Sequence, residues 1–210
     1  MRRHQSGFTL IEIAIVLVII GLLLGGILKG QELINSARVK NLATDFRNVP
    51  LFIYGYQDKF RALPGDDSGA DTHVGGILAT PVATRGNGVI DGAWDSTTQT
   101  DESYLFWEHV RRAGLAPGST DTTVPGVYAP LNALGGRIGI QSAKPFLLLN
   151  GSYFICSKNI LGKYAKQLDV QLDDGDTSKG SMMAGAVANG TVTGTAALDD
   201  SLSYSVCMGI

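Results

Sequence analysis

Phe8–Leu28 reads FTLIEIAIVLVIIGLLLGGIL, an apolar run broken by a single charge, Glu12. As a helix it extends roughly 30 Å, the thickness of a bilayer's hydrocarbon core. A buried helix of a soluble protein is the alternative, but such a helix keeps a polar face and this run has none. Just ahead lies MRRHQSG, with Arg2 and Arg3 beside the run. By the positive-inside rule this end stays in the cytoplasm and the residues after Leu28 lie beyond the membrane. A cleavable secretory signal has the same basic start. Against it, the run exceeds a usual signal core, and Leu28-Lys29-Gly30-Gln31-Glu32 offers no A-x-A-like cleavage site.

A carboxylate near the edge of a bilayer core is costly unless paired. If the chain is cut after Gly7, Phe8 carries a free amine and Glu12 lies about one helical turn further on. The amine of one subunit can then meet Glu12 of a neighbour and set the axial register between packed helices.

Gly7-Phe8-Thr9-Leu10-Ile11-Glu12 behind a short basic leader resembles the processing signal of type IV pilins and type II secretion pseudopilins. The resemblance implies that prepilin peptidase cuts between Gly7 and Phe8 and methylates the new amine. It also implies a homo-oligomeric filament, built with other pilins or pseudopilins on an inner-membrane assembly platform, with Glu12 at the subunit contact. Four parts follow: leader 1–7, transmembrane and polymerisation helix 8–30, amphipathic continuation 31–62, and exported globular head 63–210. The protein is expected as a single-pass inner-membrane precursor, then in the periplasm or at the cell surface within a filament.

Gly21, Gly25 and Gly26 interrupt the span at about 1 kcal/mol each against alanine. Two readings stand: close packing through Gly21-x-x-x-Gly25, or a place where the helix loosens as subunits leave the membrane. Beyond Gln31 the pattern becomes amphipathic. Ile34, Leu42, Phe46, Val49, Ile53, Tyr56 and Phe60 form one stripe at helical spacing. The helix is expected to kink at Pro50 and to stop before Leu63-Pro64-Gly65-Asp66.

In the remainder, residues 64–100 read as a long loop with one short strand, and Asp101–Ala113 as a helix capped by Asp101 and stopped by Gly114. Pro145–Cys156, PFLLLNGSYFIC, reads as a hairpin turning at Asn150-Gly151. A short helix is expected over 160–168, a weak strand within 177–198 and a final strand over 203–208. The fold class is α+β, a long N-terminal helix on a small antiparallel sheet. Leu63-Pro64-Gly65-Asp66, Gly86-Asn87-Gly88, the Trp107 helix ending at Ala113-Gly114-Leu115, and Leu172-Asp173-Asp174-Gly175 resemble signatures of one branch of pilin-like proteins. They imply the same kind of head.

Cys156 and Cys207 each fall in an expected strand of an exported segment, where a disulfide can form; two buried thiols are the alternative. Type IV pilins often carry such a bridge. Asp173, Asp174 and Asp176 offer hard oxygens for Ca2+, as do Asp66, Asp67 and Asp71, but neither group has EF-hand spacing. Turn-forming, solvated aspartates are the favoured alternative, so no cofactor is required. Trp107 and His109 read as packing residues. No G-x-S-x-G, H-E-x-x-H or P-loop is present, so an enzyme is not expected. The chain has Lys plus Arg 17 against Asp plus Glu 19, a net charge of -2. Loss of Arg2 and Arg3 with the leader makes it -4. Nucleic acid is therefore not the expected partner, although Arg111-Arg112 or Lys158, Lys163 and Lys166 offer local basic patches. The expectation is a filament subunit of a type IV pilus. The alternatives are a type II secretion pseudopilin, or a minor pilin for adhesion or DNA uptake.

Overall fold

The computed structural model describes residues 9–186 and 194–210. Helix α1 is Leu10–Phe60 and runs through Pro50. The chain divides into two units, residues up to Ala37 and Arg38–Ile210. The first is a stretch of α1 with a mean hydropathy of 2.9 over its most apolar window and none of that window buried. The second is the head, with its own core.

The C-terminal part of α1 belongs to that core. Leu42, Phe46, Val49, Ile53 and Tyr56 are buried on one stripe, as their spacing predicts. Ile34, expected on the same stripe, is exposed and lies in the other unit. Among the described residues four strands form the sheet: β1 (Ile138–Gln141), β2 (Phe154–Leu161), β3 (Met182–Gly185) and β4 (Ser203–Gly209). Their order is β1-β2-β4-β3, and all pairs are antiparallel.

Successive strand residues point to opposite faces, and here both faces are covered. Ile155, Ile160, Met182, Ala184 and Val206 join the cluster around α1. Phe154, Cys156, Met183 and Cys207 face the other way and pack with Trp94, Phe146 and Leu149. This second cluster explains why the expected hairpin over Pro145–Cys156 does not form. Phe146 and Leu149 are buried while Leu147 and Leu148 between them are exposed, and Leu149 N–H donates to Phe146 C=O at 3.2 Å. That is the pattern of a turn laid over a sheet face. Asn150-Gly151 abuts the backbone of Gly209 and Ile210 rather than reversing a hairpin. The partners of β2 are β1 and β4.

The shorter helices are α2 (Ala70–His73), α3 (Glu102–Arg112), α4 (Pro125–Tyr128) and α5 (Gly162–Leu172). No strand lies within residues 64–100; α2 and a 3-10 turn at Val82–Thr84 occupy part of it. Gly114, at φ +75°, ends α3, with Leu115 N–H donating to Val110 C=O. Asp101 stands at the N-cap of α3, but its carboxylate does not cap; it accepts the Ser96 hydroxyl at 2.6 Å. Helix α5 begins at Gly162, later than expected, because Ile160 and Leu161 complete β2. The weak strand is β3 and the final strand is β4; residues 187–193 lie outside the described residues.

Candidate functional site

Gly7 and Phe8 lie outside the described residues. Glu12 is described, and its carboxylate is engaged within its own chain. Oε2 accepts Thr9 N–H at 2.8 Å and the Thr9 hydroxyl at 2.7 Å. Glu12 N–H in turn lies 3.3 Å from Thr9 Oγ1. Thr9 is the N-cap and Glu12 the third helical residue, the reciprocal arrangement called a capping box. Thr9-x-x-Glu12 therefore starts α1. The T-x-x-E spacing was the sequence signal for this cap.

Cys156 and Cys207 are disulfide-bonded. They sit directly opposite each other on β2 and β4, so the bridge staples adjacent antiparallel strands. Both are fully buried. They stand 51 positions apart, a loop whose closure stabilises by about 4 kcal/mol in the chain-entropy model.

The acidic groups divide differently from their sequence order. Oxygens of Asp169, Asp173 and Asp174 lie within 4.8 Å of one another. Asp176 is outside this set: it accepts Ser178 N–H and Oγ, and pairs with Lys179 at 3.3 Å. Asp169 takes the place expected for Asp176, because the last turn of α5 aims it at the turn beginning at Asp173. Its Oδ1 accepts Gly175 N–H at 2.7 Å, while its fully buried Oδ2 has no partner among the described residues. Burial, then the charges of Asp173, Asp174 and Asp176, push its carboxyl up to about 6. Hard oxygens around a buried orphan suit a divalent cation such as Ca2+, and Asp169, Asp173 and Asp174 would hold it. Three carboxylates fall short of the six to eight oxygens calcium takes. Asp173 Oδ2 already accepts Met182 N–H, and Lys179 stands 3.7 Å from Asp174.

The other acidic group is structural. Asp66 accepts the N–H groups of Gly86, Asn87 and Gly88. Asp67 accepts the Tyr56 hydroxyl at 2.7 Å, Gly69 N–H at 2.8 Å and His73 Nδ1 at 2.7 Å. Asp71 caps only Thr72 N–H. Gly65, at φ +92°, lies so close to Glu102 C=O that a Cβ would sit 2.4 Å from the oxygen. His109 is fully buried, accepting Gly65 N–H on Nδ1 and donating from Nε2 to Ile77 C=O. Burial holds its pKa below the ordinary value, so the ring is a neutral strut. Glu102 accepts Asp91 N–H at 2.8 Å and the Thr84 hydroxyl at 3.3 Å, and burial pushes it up to about 7. Leu63-Pro64-Gly65-Asp66, Gly86-Asn87-Gly88 and the Trp107 helix are thus one network that fastens the long loop to α3.

Neither basic patch survives as a free cluster. Arg111 is buried and donates to the carbonyls of Pro117, Ser119 and Tyr128. Arg112 pairs with the buried Glu108 at 2.6 Å. Lys158 faces Asp95, Lys166 faces Asp200, and Lys163 lies over the Tyr164 ring.

No curated protein and no solved structure matches the chain. Residues 2–28 match the prokaryotic N-terminal methylation motif, so the chain carries the prepilin signal of type IV pilins and pseudopilins, the mark of a prepilin peptidase substrate.

Proposed function

We propose that this protein is a structural subunit of a type IV pilus-like filament. Prepilin peptidase cuts it after Gly7 and methylates Phe8. The mature chains then assemble through α1, with Glu12 accepting the amine of a neighbouring Phe8. The work is mechanical, not catalytic: an inner-membrane assembly platform extends the polymer and the head faces outward. The observation that carries this reading is the continuity of the methylation motif with an exposed apolar stretch of α1. The buried staple between Cys156 and Cys207 is consistent with a head built for the cell exterior.

Mass spectrometry of filaments sheared from the cell surface, compared with the cell envelope, tests the proposal. A mature chain beginning at Phe8 is expected to dominate the sheared fraction. Confinement to the envelope overturns the pilus reading in favour of a pseudopilus that drives secretion, and trace amounts at the surface indicate a minor subunit. Glu12→Ala is expected to leave cleavage intact and reduce filament yield; undiminished yield removes Glu12 from the subunit contact.

A further inference from the structure

Within the head, a cleft of about 200 Å³ opens between α1 and the segments after α3. Asp45, Phe52, Trp107, Pro117, Leu131 and Ile138 are among the residues that line it. No ion pair or hydrogen bond reaches the Asp45 carboxylate among the described residues. Burial alone raises its pKa to about 6, as befits an anion set against apolar walls with no counter-charge. The volume lies below the roughly 300 Å³ at which small-molecule pockets begin. It suits one long side chain: an apolar stem along the aromatic and proline walls and a cationic head at Asp45.

The same helix carries the complement. Among the described residues, Lys40 and Arg47 are exposed cations with no bonded partner. Arg47 shares its face of α1 with Leu51 and Tyr54, which are 63% and 61% exposed. At about 100° per residue, this ridge stands roughly a third of a turn away from the stripe of Asp45, Asn48 and Phe52 that lines the cleft. Donor and acceptor therefore face different directions on one subunit and cannot satisfy each other. Two surfaces of this kind, complementary and not self-paired, make a head-to-tail contact, which propagates into an open polymer unless its rotation closes a ring.

We infer that the Asp45 cleft receives the Arg47 side chain of a second copy of this chain, with Leu51 and Tyr54 of the same ridge packing beside its mouth. The inference rests on the filament reading and adds a head contact, separate from Glu12, that orients each subunit on the next.

The test is a charge swap in the full chain, scored as filament yield from cells that process it. Asp45→Arg and Arg47→Asp are each expected to lower yield at least fivefold, and the double variant to recover most of it. Arg47 is exposed, so Arg47→Asp leaves the fold intact even if Asp45→Arg does not. Wild-type yield in Arg47→Asp overturns the inference, as does a double variant no better than either single one. A loss confined to Asp45→Arg overturns the self-contact too and gives the cleft to a different subunit. If the wild-type chain is cut after Gly7 yet forms no filament, the filament reading itself has failed, and the inference with it.

Discussion

Residues 10–37 and residues 38–60 lie on the same helix, yet the large apolar side chains of the first stretch are exposed while Leu42, Phe46, Val49 and Ile53 of the second are buried. Burial of a leucine or isoleucine contributes roughly 1.5–3 kcal/mol. The head gains that stabilisation from its own sheet and loops. The first stretch gains nothing from the described chain, and its apolar length is what a membrane anchor requires. One helix thus belongs to two environments, and changes in its two stretches should be read by different assays.

The sharpest way to break the contrast acts ahead of both stretches. Gly7→Val is expected to abolish cleavage altogether: the chain keeps its leader by intact mass, and no filament forms, while the head unfolds as in the wild type. Next, Phe46→Ala is expected to destabilise the head by about 3–5 kcal/mol, read by urea denaturation in detergent. Leu17→Ala is expected to leave that transition within about 0.5 kcal/mol of wild type. Comparable losses in both would mean that the first stretch does contribute to the head's stability.

A subtler probe is pH. Glu102 titrates near an ordinary 4.5 when unfolded and is pushed up to about 7 in the head. The folded state therefore holds a proton between those values that the unfolded chain has released. With more protons bound in the folded state, stability falls as pH rises from about 4.5 to about 7 and levels off above. Asp45 and Asp169, raised to about 6, add to the same slope. Glu102→Gln is expected to flatten this decline in Tm, and an unchanged slope would remove Glu102 as its main source.

The smallest expected effect is at Asp169. Asp169→Asn removes a buried charge, one of whose oxygens has no partner among the described residues, and is expected to stabilise the calcium-free head by about 1 kcal/mol. Added Ca2+ should reverse the ranking if Asp169, Asp173 and Asp174 hold it. Equal responses of both proteins to Ca2+ would show that these residues bind none.

Local patterns were legible in the sequence and long-range ones were not. The apolar run, the stripe from Leu42 to Tyr56 and the stop at Gly114 depend on neighbours within a few turns. Pro145–Gly151 misled because its apolar residues suit a strand, and only the exposed face of a sheet made elsewhere selects Phe146 and Leu149 for burial. Asp66 and Gly86 are far apart in sequence, and nothing local announces that one carboxylate will hold three backbone N–H groups of that distant loop. Asp169 was missed because it sits inside a helix, while the visible cluster of aspartates lies in the turn after it. The capping box at Thr9 was readable from spacing alone, though its glutamate invites the assembly role first.

The strand order carries a consequence for timing. β4 is the last of the four strands in sequence, but it lies between β2 and β3. Synthesis from the N-terminus delivers β1, β2 and β3 first. Among the described residues β3 then has no strand beside it, and Cys156 waits as a thiol until Cys207 arrives. Until then the sheet offers unpaired edges to any neighbour. Oxidation after β4 docks would act as a latch that holds the two strands, and with them the head, closed.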